Sequence, residues 1–171
     1  MSLENKIISR EIGDLLYASG LSVGTAESCT GGRIAEGIIA IPGASNYFKG
    51  GVISYSNEVK ESILHVSPDT ISEHTAFSEE VACEMVKGAI DVLGVDFAIA
   101  STGVAGPNGP LDGIPVGTIW IACGTKDDII TEKLTSDYGR DINLAIATSK
   151  ALRLFLTYLK DKNVGALEVG E

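Results

Sequence analysis

The spacing of apolar residues along the chain predicts helices that alternate with short strands. Apolar positions recur at helical intervals after Leu3, and Gly20 is a typical helix end. A period near two, or a short continuous apolar run, indicates strands instead. In chain order the pattern predicts helix 3–19, strand 21–26, helix 32–39, strand 51–56, helix 57–64, a helix that begins at Ser78, strand 96–101, strands 116–123 and 129–135, and helix 140–159.

The order of these elements predicts the fold class. Residues 102–117 hold four glycines before Pro115, which indicates a long loop, and such loops in compact domains usually serve function. Strands 116–123 and 129–135 are close enough in sequence to form an antiparallel hairpin. Helices interleaved with strands, plus one hairpin, predict a three-layer α/β/α sandwich with a mixed, mostly parallel sheet. We expect one domain over residues 1–160 and a flexible tail over residues 161–171.

Composition and charge narrow the function classes. The 171 residues are 44% hydrophobic and 21% charged, as in an ordinary globular protein, and no apolar run approaches the length of a membrane span. No signal-peptide pattern opens the chain, so we expect a cytoplasmic protein with no membrane partner. The net charge of −10, without a stripe of Lys and Arg, argues against nucleic acid as a partner.

The cysteines and histidines predict neither a disulfide framework nor a metal site. The three cysteines are far apart and odd in number, and the two histidines do not form a spaced cluster with cysteine or carboxylate. Cys29 is a nucleophile candidate at a helix start, but no histidine lies near it in sequence. A small buried residue is the simpler interpretation of Cys29.

The turn at residues 28–32 is a candidate anion site. Ser28, Thr30, Gly31 and Gly32 follow a predicted strand and open a predicted helix, where free N–H groups and the helix dipole favour a phosphate or carboxylate. The alternative is a plain helix cap, with glycines that allow close packing. The local sequence leaves both interpretations open.

A second set of candidates could supply nucleophilic catalysis. Ser45 follows the Pro42-Gly43 break, Tyr55 lies ten positions later, and Lys60 falls in the predicted first turn of the next helix. A lysine at a helix N-terminus has its pKa lowered by the dipole and by burial, so it could deprotonate a serine. The alternative is a capping Ser45, a packed Tyr55 and a solvated Lys60. Spacing alone does not decide between them.

The glycine-rich loop after strand 96–101 is the third candidate element. Thr102, Gly103, Ala105 and Gly106 lie where open α/β sheets place their ligands, and their N–H groups could bind an oxyanion or a phosphate. Arg140, at the start of the last predicted helix, is either an anion clamp or a surface charge.

Several long motifs together resemble the CinA C-terminal domain family. They are TAESCTGGRIAE, PGASNYFKGGVISYSNEVK, STGVAGPNG and PVGTIWIA, in that family's order and spread over nearly the whole chain. The resemblance implies an α/β/α fold and a metal-free, cofactor-free serine amidohydrolase. The substrate it implies is nicotinamide mononucleotide, deamidated to nicotinic acid mononucleotide and ammonia in pyridine nucleotide recycling.

The resemblance also assigns residues. It places the catalytic serine, tyrosine and lysine on Ser45, Tyr55 and Lys60, and it makes the turn at Ser28 and the loop at Thr102 the substrate-binding elements. The chain resembles the stand-alone form, which lacks the additional N-terminal domain of larger members. Ile114 and Leu144 stand where the family usually has basic residues, which leaves a non-catalytic nucleotide-binding module as the rival hypothesis. The oligomeric state is left open.

Overall fold

The computed structural model describes residues 1–109 and 111–166. Its strands and helices alternate as the sequence predicts. The strands are β1 (Val23–Glu27), β2 (Phe48–Ile53), β3 (Phe97–Gly103), β4 (Ile119–Gly124) and β5 (Ile129–Leu134). The helices are α1 (Leu3–Ser19), α2 (Arg33–Ile39), α3 (Asn57–Ser62), α4 (Pro68–His74), α5 (Glu79–Leu93) and α6 (Arg140–Asp161), and a short 3₁₀ turn lies at Ala44–Asn46.

The strands form one mixed sheet in the order β2-β1-β3-β4-β5. The pairs β1–β2 and β1–β3 are parallel, whereas β3–β4 and β4–β5 are antiparallel. Four strands therefore run in one direction and β4 runs against them. The carboxyl ends of β1, β2 and β3 meet at one edge of the sheet, which is where such sheets bind ligands.

Helices cover both faces of the sheet. On one face, α1, α2 and α6 pack against each other and enclose a core that includes Ile12, Leu16, Ile99 and Phe155. On the other face, α5 packs over β3 and β4 around Met85 and Ala100. The predicted three-layer α/β/α architecture with a mixed sheet is confirmed.

Strands β2 and β4 and helix α4 differ most from the sequence prediction. Strand β4 begins at Ile119 rather than at residue 116. Strand β2 covers Phe48–Ile53 rather than residues 51–56, because Phe48 and Gly50 also pair with β1. A methyl group at Gly51 would collide with the Thr25 side chain, so glycine is required there by close packing. Helix α4, which begins with Pro68, was missed because none of its residues is buried and its apolar pattern is weak.

The predicted tail is partly wrong. Helix α6 continues to Asp161, and the N–H of Val164 donates to the carbonyl of Leu159, so residues 161–166 continue as ordered turns. Val164 packs against the core of the α1 face. Residues 167–171 of the predicted tail lie outside the described residues.

Length and hydropathy rule out a bilayer-spanning helix within residues 1–109 and 111–166.

Candidate active site

Ser28 is held where the carboxyl ends of three parallel strands meet. It directly follows β1, and its N–H donates to the carbonyl of Ser101 on β3 at 2.9 Å. On the other side, the N–H of Ser54 donates to the carbonyl of Glu27 at 2.8 Å. Both neighbouring strands therefore fix the backbone at Ser28, so the hydroxyl is attached to a rigid part of the main chain.

The amine of Lys60 lies against this hydroxyl. Lys60 Nζ is 3.0 Å from Ser28 Oγ and 2.8 Å from the carbonyl oxygen of Ser54. The side chain is only 1% exposed, although it is a lysine. No carboxylate of the described residues forms an ion pair with Lys60. Lysine is almost never buried without such a partner, so this position suggests a functional role.

Burial lowers the pKa of Lys60 from its ordinary value of 10.5 to about 8. The physical cause is desolvation of the ammonium, which disfavours the charged form. Lys60 is the fourth of the six residues of α3, and its N–H closes the first turn by donating to the carbonyl of Ser56, so the predicted contribution of the helix N-terminus stays a prediction. A Cys29 thiolate would raise the pKa of Lys60, but Cys29 is a neutral thiol near pH 8 because its own pKa is about 12.

Ser45 is not part of this arrangement. It is exposed in the 3₁₀ turn before β2, whereas Tyr55 and Lys60 follow β2. The six residues of β2 separate the two ends by roughly 20 Å. The structure therefore contradicts the assignment of Ser45 as the hydroxyl that Lys60 deprotonates, and it brings Ser28 to the amine instead.

Tyr55 and Arg140 meet at the mouth of the site. Tyr55 is 64% exposed, and its hydroxyl accepts a hydrogen bond from Arg140 Nη2 at 3.3 Å. Arg140 Nη1 also donates to the carbonyl of Gly106 at 2.7 Å. The predicted relay through Tyr55, between Ser45 and Lys60, is not formed. Arg140 instead connects the β2–α3 loop to the glycine-rich loop.

A cleft of about 180 Å³ opens beside Ser28. Of the predicted site residues, Ser28, Tyr55, Gly103, Ala105, Gly106 and Arg140 lie in its wall. The wall also contains Cys29, Phe77, Val104, Asn108 and Leu111. Phe77 comes from the segment just before α5, and no pattern in the sequence indicates its role.

The predicted anion site at residues 28–32 is closed by a carboxylate of the protein itself. Glu27 accepts the N–H groups of Gly32, Ile34 and Ala35 at the start of α2. Thr30 is fully buried, and neither Thr30, Gly31 nor Gly32 lies in the cleft wall. The Thr30 hydroxyl and the Gly32 N–H already bind Glu27, whereas Gly31 is exposed outside the cleft. The structure therefore does not bring these three residues to the cleft, and substrate binding by them stays a prediction.

Thr102 is also absent from the cleft. Its side chain is fully buried, and its hydroxyl donates to the carbonyl of Ala76 at 2.6 Å. It fixes the segment before α5 to the end of β3 rather than facing a ligand. Of the four residues predicted for this loop, Thr102 therefore does not line the cleft, and a contribution of its backbone N–H to binding stays a prediction.

The start of α6 holds the glycine-rich loop in place. The buried Asn143 donates through Nδ2 to the carbonyl of Ala105 at 3.1 Å and to Asp137 at 2.9 Å. Leu144, one of the two positions without the usual basic residue, is buried with Cys29 and Ala105 in an apolar cluster behind the cleft. Ile114 is half-buried in the loop that contains Leu111.

Cys29 is next to the nucleophile candidate but does not suit that role. Burial raises the pKa of the Cys29 thiol to about 12. Neither histidine lies in the cleft wall. Among the described residues, the Lys60 amine donates to Ser28 and to the Ser54 carbonyl and not to Cys29. A thiol with a raised pKa and no such contact is a poor nucleophile, so the structure favours the simpler interpretation of Cys29 as a small buried residue.

Other surfaces offer less chemistry. Depressions of about 340 and 320 Å³ lie between α1, α2 and α6 and between β4, β5 and α6, but neither contains Ser28 or Lys60. Within the described part of the chain, no group of three or more His, Cys, Asp or Glu residues is placed to hold a metal ion. The arrangement at Ser28 is therefore the strongest candidate for catalysis.

Known proteins with the same fold and similar sequences identify the family. The family model of the CinA C-terminal domain matches residues 5–159. A CinA-like protein of Shewanella pealeana is 43% identical over 152 residues, which cover 86% of this chain but 36% of that protein. A CinA-like protein of Leptospira borgpetersenii is 46% identical over 121 residues, 71% of this chain and 29% of that protein. The chain thus spans about a third of the length of these curated relatives.

Solved structures agree over nearly the whole fold. The competence damage-inducible protein A of Klebsiella pneumoniae superposes with a TM-score of 0.87 at 33% identity, covering 91% of this chain and 97% of that one. A CinA superfamily protein of Escherichia coli gives 0.88 at 33% identity, covering 93% and 94%. Together with the family model, these similarities show that the chain belongs to the CinA C-terminal domain family.

Proposed function

We propose that the chain is a serine amidohydrolase that deamidates nicotinamide mononucleotide to nicotinic acid mononucleotide and ammonia, with Ser28 as nucleophile and Lys60 as base. One observation carries the proposal: a buried lysine amine with a pKa near 8 lies 3.0 Å from a serine hydroxyl at the ligand-binding edge of the sheet. A neutral amine beside a hydroxyl is the pairing required for nucleophilic catalysis.

The chemistry proceeds in two balanced steps. Neutral Lys60 accepts the hydroxyl proton as Ser28 Oγ bonds to the carboxamide carbon, and the resulting ammonium then gives a proton to the departing amine, which leaves as ammonia. Water then attacks the acyl-enzyme ester as Lys60 accepts one of its protons, and Lys60 returns that proton to Ser28 Oγ when the ester bond breaks. The acid product leaves and loses its own proton to solvent as the carboxylate. The carbonyl of Ser54 holds Nζ in place during both steps. The proposed mechanism uses no metal and no cofactor.

The glycine-rich loop provides candidate donors for the oxyanion. The N–H groups of Ala105 and Gly106 find no acceptor among residues 1–109 and 111–166, and both residues line the cleft. Asn143 binds the Ala105 carbonyl, which shares a peptide unit with the Gly106 N–H, and the N–H of Gly117 binds the Val104 carbonyl, which shares one with the Ala105 N–H. Both N–H directions are therefore fixed before substrate binds. Preorganised donors of this kind stabilise a tetrahedral intermediate.

The substrate identity comes from the family resemblance, and features of the cleft support it. A volume of about 180 Å³ is small for a whole nucleotide, so we propose that it takes the carboxamide ring while the ribose phosphate extends past its mouth. Tyr55 and Phe77 offer aromatic surfaces for a planar ring. Arg140 has further N–H donors for the phosphate after its two protein contacts are counted.

Ammonia release from nicotinamide mononucleotide, measured with purified protein, tests the proposal. We expect turnover by the wild type and a loss of about 10³-fold or more in Ser28→Ala, because a covalent nucleophile is removed. Ser45→Ala is the matched control, since it removes a hydroxyl at the opposite end of β2, and we expect it to keep wild-type activity.

Two outcomes would contradict the proposal. If Ser45→Ala abolished turnover while Ser28→Ala retained it, the structural assignment of the nucleophile would be wrong. If the wild type bound the nucleotide but released no ammonia, the chain would be the binding module that the sequence also allows.

A further inference from the structure

Glu27 places a carboxylate in the interior next to the proposed nucleophile. It is the last residue of β1 and is only 1% exposed. No cation of the described residues forms an ion pair with it. A buried charge without a partner ion is costly unless hydrogen bonds satisfy it. The arrangement around Glu27 therefore needs a specific reason.

Four donors satisfy this carboxylate. Oε1 accepts the Thr30 hydroxyl at 2.6 Å and the N–H groups of Gly32 and Ile34 at 3.2 and 2.9 Å. Oε2 accepts the N–H of Ala35 at 3.0 Å. Because all four partners donate, the site needs a group that only accepts, and a carboxylate meets this requirement where an amide does not.

These bonds cross the turn that presents Ser28. Gly32 is the N-cap of α2 with a positive φ of 99°, and it has no side chain to cap the helix. Glu27 supplies the cap from the strand side, so the end of β1 and the start of α2 are joined on both sides of residues 28–31. The turn therefore cannot tilt without breaking these bonds.

A second connection leads from Glu27 to the backbone at Ser28. Thr30 gives its one hydroxyl proton to Glu27, so Ser101, whose Oγ is 2.6 Å from Thr30 Oγ1, must donate to Thr30. The carbonyl of Ser101 in turn accepts the N–H of Ser28. The side chain and the backbone of Ser101 thus tie Ser28 to the same network.

We propose that Glu27 is a positioning residue, whose buried carboxylate fixes the turn 28–32 so that the Ser28 hydroxyl stays within hydrogen-bond distance of Lys60. This inference rests on the proposed role of Ser28 as nucleophile. Glu27 does not line the cleft, so it acts through the turn and not on the substrate.

Phosphonylation by a fluorophosphonate probe tests the positioning without the natural substrate. Ser28 Oγ forms a bond to phosphorus, fluoride leaves, and the hydroxyl proton passes to Lys60. We expect Glu27→Gln to slow this reaction by about 10²-fold, because a displacement near 1 Å has such an effect on an oriented nucleophile. Glu36→Gln, an exposed change on the same helix, is the matched control and should react like the wild type.

A second pair of variants covers the case in which Glu27→Gln does not fold. Thr30→Val keeps the side-chain shape but loses the hydroxyl between Glu27 and Ser101, and we expect slower phosphonylation of Ser28. Thr30→Ser keeps the hydroxyl and should react nearly as the wild type does. Ile12→Val, in the core of the α1 face, is a control with lowered stability, and we expect its rate of phosphonylation to be unchanged.

Steady-state kinetics separate positioning from a general loss of structure. With nicotinamide mononucleotide we expect Glu27→Gln to lower kcat while KM and the midpoint of the pH–rate profile stay unchanged. Equal rates of phosphonylation in the wild type and Glu27→Gln would overturn the positioning role alone. A wild type that the probe does not label at Ser28 would instead overturn the proposed nucleophile and the inference with it.

Discussion

Lys60 Nζ lies 3.0 Å from Ser28 Oγ, although 32 residues separate the two in the chain. The pair forms because β1 and β2 are parallel neighbours, so the residues that follow their carboxyl ends meet at one edge of the sheet. The contact is buried, and burial leaves the amine with a pKa of about 8. The proposed roles of Ser28 as nucleophile and Lys60 as base rest on this geometry.

The first prediction concerns the pH dependence of turnover. Because the proposed mechanism uses Lys60 as base in its neutral form, kcat should rise about tenfold per pH unit below pH 8 and level off above it. Lys60→Arg keeps the charge but cannot release its proton in this range, so we expect a loss of about 10³-fold. Ammonia release measured from pH 6 to 10 checks both. A pH-independent rate, or an active Lys60→Arg variant, would exclude lysine as the base.

The second prediction concerns the pH dependence of stability. The pKa of Lys60 is lowered from 10.5 to about 8 in the folded chain, so between these values the unfolded chain binds more protons. The free energy of unfolding of the wild type should therefore rise relative to that of Lys60→Met across this window, by at most about 1.4 kcal/mol per pH unit. Below pH 8 the difference should be constant.

Denaturant unfolding of both proteins at several pH values measures this change. Lys49→Met, which alters an exposed lysine on β2, is the control and should show a constant difference from the wild type. A wild type that loses stability relative to Lys60→Met between pH 8 and 10.5 would contradict the buried, neutral amine.

The third prediction concerns Cys29. Burial raises the pKa of its thiol to about 12, so almost no thiolate exists near pH 8. Cys29→Ala should therefore keep turnover within about tenfold of the wild type, the small loss reflecting packing behind the cleft. Ammonia release gives the rate, and thermal unfolding gives the packing effect. Complete inactivation of a folded Cys29→Ala variant would restore the cysteine hydrolase hypothesis.

The fourth prediction concerns Arg140. Its guanidinium contacts both the carbonyl of Gly106 and the hydroxyl of Tyr55, which a single lysine amine cannot reproduce. We expect Arg140→Lys to raise KM by about tenfold, since it loosens the cleft and weakens phosphate binding. Arg153→Lys, on the exposed surface of the same helix, is the control. An unchanged KM in Arg140→Lys would remove Arg140 from substrate binding.

The fifth prediction concerns metal removal. The proposed mechanism assigns every proton transfer to Lys60 and the oxyanion to backbone donors, so turnover should not change after EDTA treatment and dialysis. Loss of activity that a divalent ion restores would contradict the serine mechanism.

The sequence alone was enough to predict most helices and strands and the resemblance to the family. Helical spacing after Leu3, the cap at Ser78 and the apolar run before Ser101 gave α1, α5 and β3 close to their observed bounds. These patterns are local, because they arise from the period of each element and from its end residues. They also sufficed for the α/β/α class and for the regions in which the site lies.

Only the tertiary structure decided which serine faces Lys60. Ser45 lies before β2, and Ser28 lies after β1. Because β1 and β2 are parallel neighbours, Ser45 is at the amino ends of the strands and Ser28 is at their carboxyl ends. Spacing along the chain cannot predict this, because contact across parallel strands depends on which strands are neighbours.

The environment of each charge was likewise a tertiary property. The largest cause of the low pKa of Lys60 is its burial between elements that are distant in sequence. Glu27 fills the helix start that the sequence suggested for a substrate anion. The sequence determined which reactive groups the chain contains, and packing determined which of them meet, because desolvation and hydrogen bonding depend on neighbours that are distant along the chain.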